Sequence, residues 1–209
     1  KGVKNMKKIF KLILFMLTSG LFFIVTSQAY AKDKELTLIY TGETHAMLYH
    51  CACPVEADGG LARRATLIKQ LRKQYPESLV LDSGNFFGAG LLDQNTQNTQ
   101  LDMLRTAIAL RAMELMRYDA LNLSDDEFNF GKDFLMDNIS KVKLKFLSAN
   151  LKSDKVAPYI IKEVAGVKLG IIGLTNLISR RKAGDLVFIE PKAAVESAIL
   201  ELKKKGKPI

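Results

Sequence analysis

Leu79-Val80-Leu81-Asp82-Ser83-Gly84-Asn85 is the stretch that decides the fold. Three consecutive apolar residues between Pro76 and Gly84 are too few for a helix and read as a short buried strand. The run ends in a polar loop that carries an acid and an amide. The same order recurs along the chain. Leu36 to Tyr40 leads into Thr41-Gly42-Glu43-Thr44-His45, Ala120 to Leu123 into Ser124-Asp125-Asp126-Glu127, and Phe146-Leu147-Ser148 into Asn150. Loops at the carboxyl ends of sheet strands are where α/β proteins build their sites, so these clusters together say more than any one of them.

Helical patterns separate the strands. Asp58-Gly59-Gly60 opens a helix to about Tyr75, with Leu61, Ala65, Ile68, Leu71 and Tyr75 on one face and Pro76 as its stop. Thr99, followed by Asp102, is a capping-box-like start to a helix reaching about Arg117, with Leu101, Leu104, Ile108, Ala112 and Leu115 at helical spacing. A further helix is expected near Lys132 to Lys141. Tyr159 to Val164 and Val167 to Leu174 flank Ala165-Gly166, a two-residue hairpin signal, and Pro191 stands in the first turn of a last helix. Strands alternating with helices predict a layered α/β domain with a central sheet.

The chain has 209 residues, 48% of them hydrophobic, with 31 Lys and Arg against 22 Asp and Glu, a charge of +9. That composition excludes a disordered chain and supplies a core for one domain. The charge invites a nucleic-acid reading, which its distribution removes. Lys7, Lys8 and Lys11 precede the apolar run Leu12 to Val25 and the small-x-small site Ala29-Tyr30-Ala31, the pattern of a secretory signal. The run is short of the ~18 to 20 apolar residues that span a bilayer, so membrane contact is expected only through this segment. Residues 1–31 therefore read as upstream residues and signal peptide, and 32–209 as the domain, exported to a periplasmic or extracellular compartment. Without the first 31 residues, 26 basic groups face 22 acidic ones and the charge falls to +4. Lys203-Lys204-Lys205 and Arg180-Arg181-Lys182 fit a solvated helix end and loop better than a phosphate-backbone footprint.

At its polar clusters the sequence resembles the calcineurin-like metallophosphoesterases, in particular the N-terminal catalytic domain of the exported 5′-nucleotidase and UDP-sugar hydrolase family. Thr41-Gly42-Glu43-Thr44-His45-Ala46 looks like the family's T-N-D-x-H-G. Gly59-Gly60-Leu61-Ala62-Arg63-Arg64 looks like the glycine-rich start of its first helix. Leu81 to Asn85 stands where the family has a strand ending in D-x-G-D, and Ser124 to Phe128 where it has G-N-H-E-F. Leu147 to Leu151 and Gly170 to Thr175 match its later strands. The resemblance covers about Leu36 to Asn176. It implies a layered metallophosphoesterase-like β-sandwich flanked by helices. It also implies C-terminal incompleteness, since further metal-ligating histidines and a substrate-binding domain follow in the family.

The family's chemistry implies two divalent cations, Mn, Zn or Mg, that clamp a small-molecule phosphoester such as a nucleotide and activate water. Carried over position by position, His45 is retained as a metal ligand and the first aspartate has become Glu43. The bridging aspartate has become Asn85, a neutral amide and a poor bridge between dications. The ligating asparagine has become Asp125. The neighbouring histidine, which assists the reaction, has become Asp126, an acid only if its pKa is raised. The Asp125-Asp126-Glu127 run reads either as a modified cation site or as a charged turn capping the next helix. Asn150 reads either as a substrate contact or as a loop cap. A second constellation, His50, Cys51 and Cys53 beside His45, offers imidazole and thiolate ligands for an alternative metal site or a redox-partner loop on a non-catalytic module.

Overall fold

The computed structural model describes residues 35–50, 59–93, 95–206. The expected signal segment and the cysteine pair Cys51 and Cys53 fall outside the described residues. The first four strands, β1 (Leu38–Thr41), β2 (Leu79–Asp82), β3 (Ala120–Asn122) and β4 (Phe146–Leu147), form one parallel sheet in chain order. Thr41 pairs with Asp82, and Asp82 with Leu121, so the strands end level and deliver their loops to one edge. The connections are α1 (Leu61–Gln74), α2 (Thr99–Leu115) and α3 (Gly131–Ser140). A mixed α/β architecture with a parallel sheet and flanking helices is thus the one that the strand-helix alternation predicts.

The rest of the chain adds antiparallel pairs. β5 (Leu151–Lys152) pairs with β8 (Val187–Phe188), and β6 (Tyr159–Val164) forms a hairpin with β7 (Val167–Ile172). Ala165 and Gly166 take φ of 51° and 69°, both left-handed, as a two-residue hairpin turn requires. α4 (Pro191–Lys204) closes the order, with Pro191 in its first turn and Glu190 capping the Ala193 N–H at 2.8 Å. Among the described residues no helix is long and apolar enough to cross a membrane.

One core joins sheet and helices. Ile68 of α1, Leu110 and Met113 of α2 and Leu135 of α3 pack with Val80, Leu121 and Phe146 of the strands. Phe86 and Phe87, in the loop after β2, are fully buried and meet edge-to-face at 5.4 Å, and Phe87 meets Phe134 at 5.8 Å. Each such burial is worth about 1.5–3 kcal/mol, so this loop is anchored as firmly as a strand.

α2 departs from expectation in two ways. Its cap is Asn98, whose side chain accepts the Leu101 N–H at 3.0 Å, one residue before Thr99. The apolar residues that mark the helix by their spacing are also not its buried face. Leu104 and Leu115 are 56% and 75% exposed, while Asp102, Thr106, Leu110 and Met113 are buried. A helix apolar on nearly every side cannot choose a face by periodicity. Polar partners choose it: Thr106 donates to the Asp102 carbonyl at 2.9 Å and accepts the Gly88 N–H at 3.0 Å.

Candidate active site

The loops after β1 and β2 are laced together by backbone hydrogen bonds. The N–H groups of Glu43, His45 and Ala46 donate to the carbonyls of Gly84, Asn85 and Phe86 at 3.1, 3.0 and 2.9 Å. Within this lacing Glu43, His45, Ala46 and Asn85 all take left-handed φ, at 52°, 44°, 49° and 58°. Non-glycine residues in that region are held against a cost of about 1–3 kcal/mol each, and such strain concentrates at functional sites. Gly84, at φ 108°, admits the loop after β3: a Cβ there would stand 2.5 Å from that of Ser124.

His45 lies at the centre and is 8% exposed. Its Nδ1 is 3.0 Å from Asp126 Oδ2 and its Nε2 is 3.3 Å from Glu43 Oε2. Asn85 donates from Nδ2 to Glu43 Oε1 at 2.5 Å, and its Oδ1 accepts the N–H groups of Asp125 and Asp126 at 3.2 and 3.1 Å. Burial pushes the Asp126 carboxyl above the usual carboxylate range, against the pull of Asn129 and His45. Asp125 Oδ2 accepts from Lys182 Nζ at 2.7 Å, and the same ammonium reaches Asn129 Oδ1 at 2.7 Å.

The structure therefore brings Glu43, His45, Asn85, Asp125 and Asp126 to one place, delivered by the ends of three neighbouring strands. It treats the other candidates differently. Asn150 does not face solvent: it is fully buried, accepting the Thr175 N–H and donating to the Thr175 carbonyl, both at 2.8 Å. It staples the loop after β4 to the one after β7, which corrects the reading as a substrate contact. His50 is exposed at the surface, beside the cysteine segment that lies outside the described residues.

Two further side chains support the site. Arg105, from α2, donates to Asp93 Oδ2 at 2.5 Å and Asp102 Oδ1 at 2.7 Å, and to the His45 carbonyl at 3.3 Å. It fixes the loop that presents His45. Glu127 is fully buried, and its carboxyl accepts the N–H groups of Phe86 and Phe87 at 2.8 and 3.4 Å and those of Asn85 and Ser124 at 3.2 and 2.6 Å. Burial pushes it up to about 8, against those donors. Of the acidic run, Glu127 is the residue that binds the loops together.

A pair of divalent cations does not fit these donors as they stand. Asn85, at the bridging position, spends its oxygen on two backbone N–H groups and its nitrogen on Glu43, leaving no lone pair for a cation. The carboxylates of Glu43 and Asp126 lie on opposite sides of the His45 ring, so they cannot converge with it on one ion. One acidic oxygen is left over, Asp125 Oδ1, buried with no hydrogen-bond partner among the described residues. Among the described residues no group of three or more His, Cys, Asp or Glu is arranged to hold a metal. The expected ligand set Glu43, His45, Asn85, Asp125 is thus gathered, but its members are hydrogen-bonded to one another and to neighbouring side chains.

No protein-family model matches the chain. Individual proteins do. It is 34% identical over 158 residues to a snake venom 5′-nucleotidase of Naja atra, covering 68% of this chain and 28% of that protein. It is 31% identical over 180 residues to a trifunctional nucleotide phosphoesterase of Bacillus subtilis, covering 81% of this chain and 12% of that protein. A 5′-nucleotidase precursor from Thermus thermophilus superposes with a TM-score of 0.71 at 29% identity, covering 82% of this chain and 35% of that structure. A calcineurin-like phosphoesterase from Bacillus subtilis gives 0.63 at 27%, over 82% of this chain and 59% of that structure. The chain spans under a third of the length of these two curated relatives. Sequence, loop positions and superposition agree, and the chain belongs to the calcineurin-like metallophosphoesterases, among the relatives of the 5′-nucleotidases.

Proposed function

We propose that this protein is an exported phosphoester hydrolase of the 5′-nucleotidase kind with an altered metal site, acting on a small-molecule phosphoester such as a nucleotide. The observation that carries the reading is the convergence of Glu43, His45 and Asp126 at the ends of neighbouring parallel strands, in backbone conformations held against strain. Beside them a cleft of about 230 Å³ is lined by Glu43, Thr44, Met47, Gly59, Gly60 and Arg64. That volume suits the phosphoryl end of a substrate better than a whole nucleotide, since pockets for drug-sized ligands run from about 300 Å³ upward. Arg64 supplies a guanidinium for the phosphoryl oxygens. His45 is oriented by Glu43 and Asp126 to hold or pass a proton, and Asp126 is the acid placed to receive it. In relatives that bind them, divalent cations supply charge stabilisation and activated water.

A second reading, a non-catalytic binding or redox-partner module using the His45/His50/Cys51/Cys53 loop, is favoured by the way each candidate ligand is hydrogen-bonded to another. Turnover separates the two. The full-length protein is assayed on AMP and p-nitrophenyl phosphate with Mn²⁺, Zn²⁺, Mg²⁺ or chelator, beside His45→Ala. The proposal expects His45→Ala to lose at least about 100-fold in kcat/KM, the scale of a lost general acid-base group. Wild-type turnover no higher than that of His45→Ala under every condition overturns it and leaves the binding reading.

A further inference from the structure

Each of the acidic groups Glu43, Asp125 and Asp126 at the candidate site already has a positive or hydrogen-donating partner from this chain. Glu43 has the Asn85 amide at 2.5 Å and the His45 imidazole at 3.3 Å. Asp126 has the other nitrogen of His45 at 3.0 Å. Asp125 has the Lys182 ammonium at 2.7 Å, which Asn129 helps to hold. Two dications close together need a shared carboxylate to offset their repulsion, and an amide provides no such charge. The same amide does what a carboxylate could not, donating a hydrogen bond to Glu43.

We propose that this chain has exchanged the two-cation centre for an internal one, in which the Asn85 amide and the His45 imidazole hydrogen-bond Glu43 and Asp126 and the Lys182 ammonium pairs with Asp125, so that the described site holds together without a metal pair. The leftover Asp125 Oδ1 does not change this, because one oxygen is a single donor where catalytic zinc takes three protein ligands. The inference rests on reading these residues as the descendant of the family's centre and is independent of turnover.

The exchange predicts a reversal at Asn85. Asn85→Asp replaces the amide that Glu43 accepts from with a second carboxylate at hydrogen-bonding distance, so the two repel unless a cation enters between them. The test measures metal content after dialysis of the full-length protein against Mn²⁺ or Zn²⁺, together with the melting temperature in chelator and in each metal. The wild type is expected to retain no Mn²⁺ or Zn²⁺ and to melt at the same temperature throughout. Asn85→Asp is expected to melt several degrees lower in chelator and to recover with Mn²⁺, taking it up stoichiometrically. Stoichiometric metal in the wild type, or a melting temperature that metal raises by several degrees, overturns the inference whether or not the variant folds. A folded Asn85→Asp that takes up no metal also overturns it. A metal-free wild type without turnover would remove the hydrolase reading and leave this one standing. A metal-loaded, metal-dependent hydrolase would do the opposite.

Discussion

Arg105→Met is expected to destabilise the protein by about 3–5 kcal/mol at pH 7, the cost of leaving a buried charge without its partner. The guanidinium lies between Asp93 and Asp102, whose side chains are 0% and 1% exposed. Methionine fills most of the volume but offers neither carboxylate a donor. The Coulomb gain that the wild type makes is lost, while the desolvation of both acids stays. The Asp93 carboxyl, raised by burial and lowered further by its Arg105 hydrogen bond, sits below the usual range overall. A depressed acid stabilises above its unfolded pKa and loses that contribution as pH falls, so the gap between wild type and variant should narrow in acid. Urea unfolding at pH 7 and at pH 3.5 reads both effects. The variant should also loosen the loop presenting His45, because Arg105 holds the carbonyls of His45 and Ala46 at 3.3 and 3.5 Å. A loss below about 1 kcal/mol at pH 7 would show that the carboxylates find other partners.

Arg105 also marks where legibility in the sequence stops. The strand ends were readable because each is a short apolar run that breaks into a polar loop, and this local signal survives without knowledge of the fold. The residues gathered at those ends, Glu43, His45, Asn85, Asp125 and Asp126, were readable for the same reason. Their bonding was not. That Asn85 would turn its amide on Glu43, and that Lys182 would reach Asp125, depends on contacts across 42 and 57 positions of chain. Nothing local to Arg105 distinguishes it from a solvated charge on a helix, and the apolar spacing Leu101, Leu104, Ile108, Leu115 marks a largely exposed face. The spacing of Thr99 and Asp102 is that of a capping box. In the structure Asn98 caps, and Asp102 instead accepts the Gln97 N–H and holds Arg105.

The strained loop, the buried acids and the laced backbone belong to one arrangement. Glu127 gives the loops after β2 and β3 a common acceptor, and Arg105 ties the loop after β1 to α2. Together they hold Glu43, His45 and Asn85 in conformations that those residues would otherwise leave. This supports a preorganised site whatever fills it. The same reasoning explains why a cation pair is not needed to bring these loops together: backbone hydrogen bonds and the side chains of Arg105 and Glu127 already do so.

Asp82→Asn is expected to stabilise the protein at pH 7 by up to about 3 kcal/mol, and to do nothing below pH 4. Asp82 is the last residue of β2, 3% exposed, accepting from the Thr41 hydroxyl at 2.5 Å and the Gly84 N–H at 2.9 Å. Burial raises its carboxyl from an ordinary 3.8 to about 6, with Thr41, Gly84 and Arg64 pulling down and Glu43 pushing up. The folded state therefore holds this proton more tightly than the unfolded chain does. Stability from this group is full below about pH 4 and is lost as pH climbs to about 6, after which the deficit persists. Asparagine removes the titration and can keep both contacts. Its oxygen accepts from Gly84, and the Thr41 hydroxyl, 2.9 Å from the Tyr118 hydroxyl, can turn to accept from the new amide and donate to Tyr118. Glu127, raised by burial from 4.5 to about 8, adds a second decline that overlaps the first and runs on to about pH 8; the substitution leaves it in place, lowered slightly because Asp82 is one of the charges that raises it. Urea unfolding from pH 4 to pH 9 should show the wild type falling steeply up to about pH 6 and less steeply on to about pH 8, and Asp82→Asn showing only the shallower fall. Parallel curves for the two proteins would mean that Asp82 is ionised throughout this range in the fold.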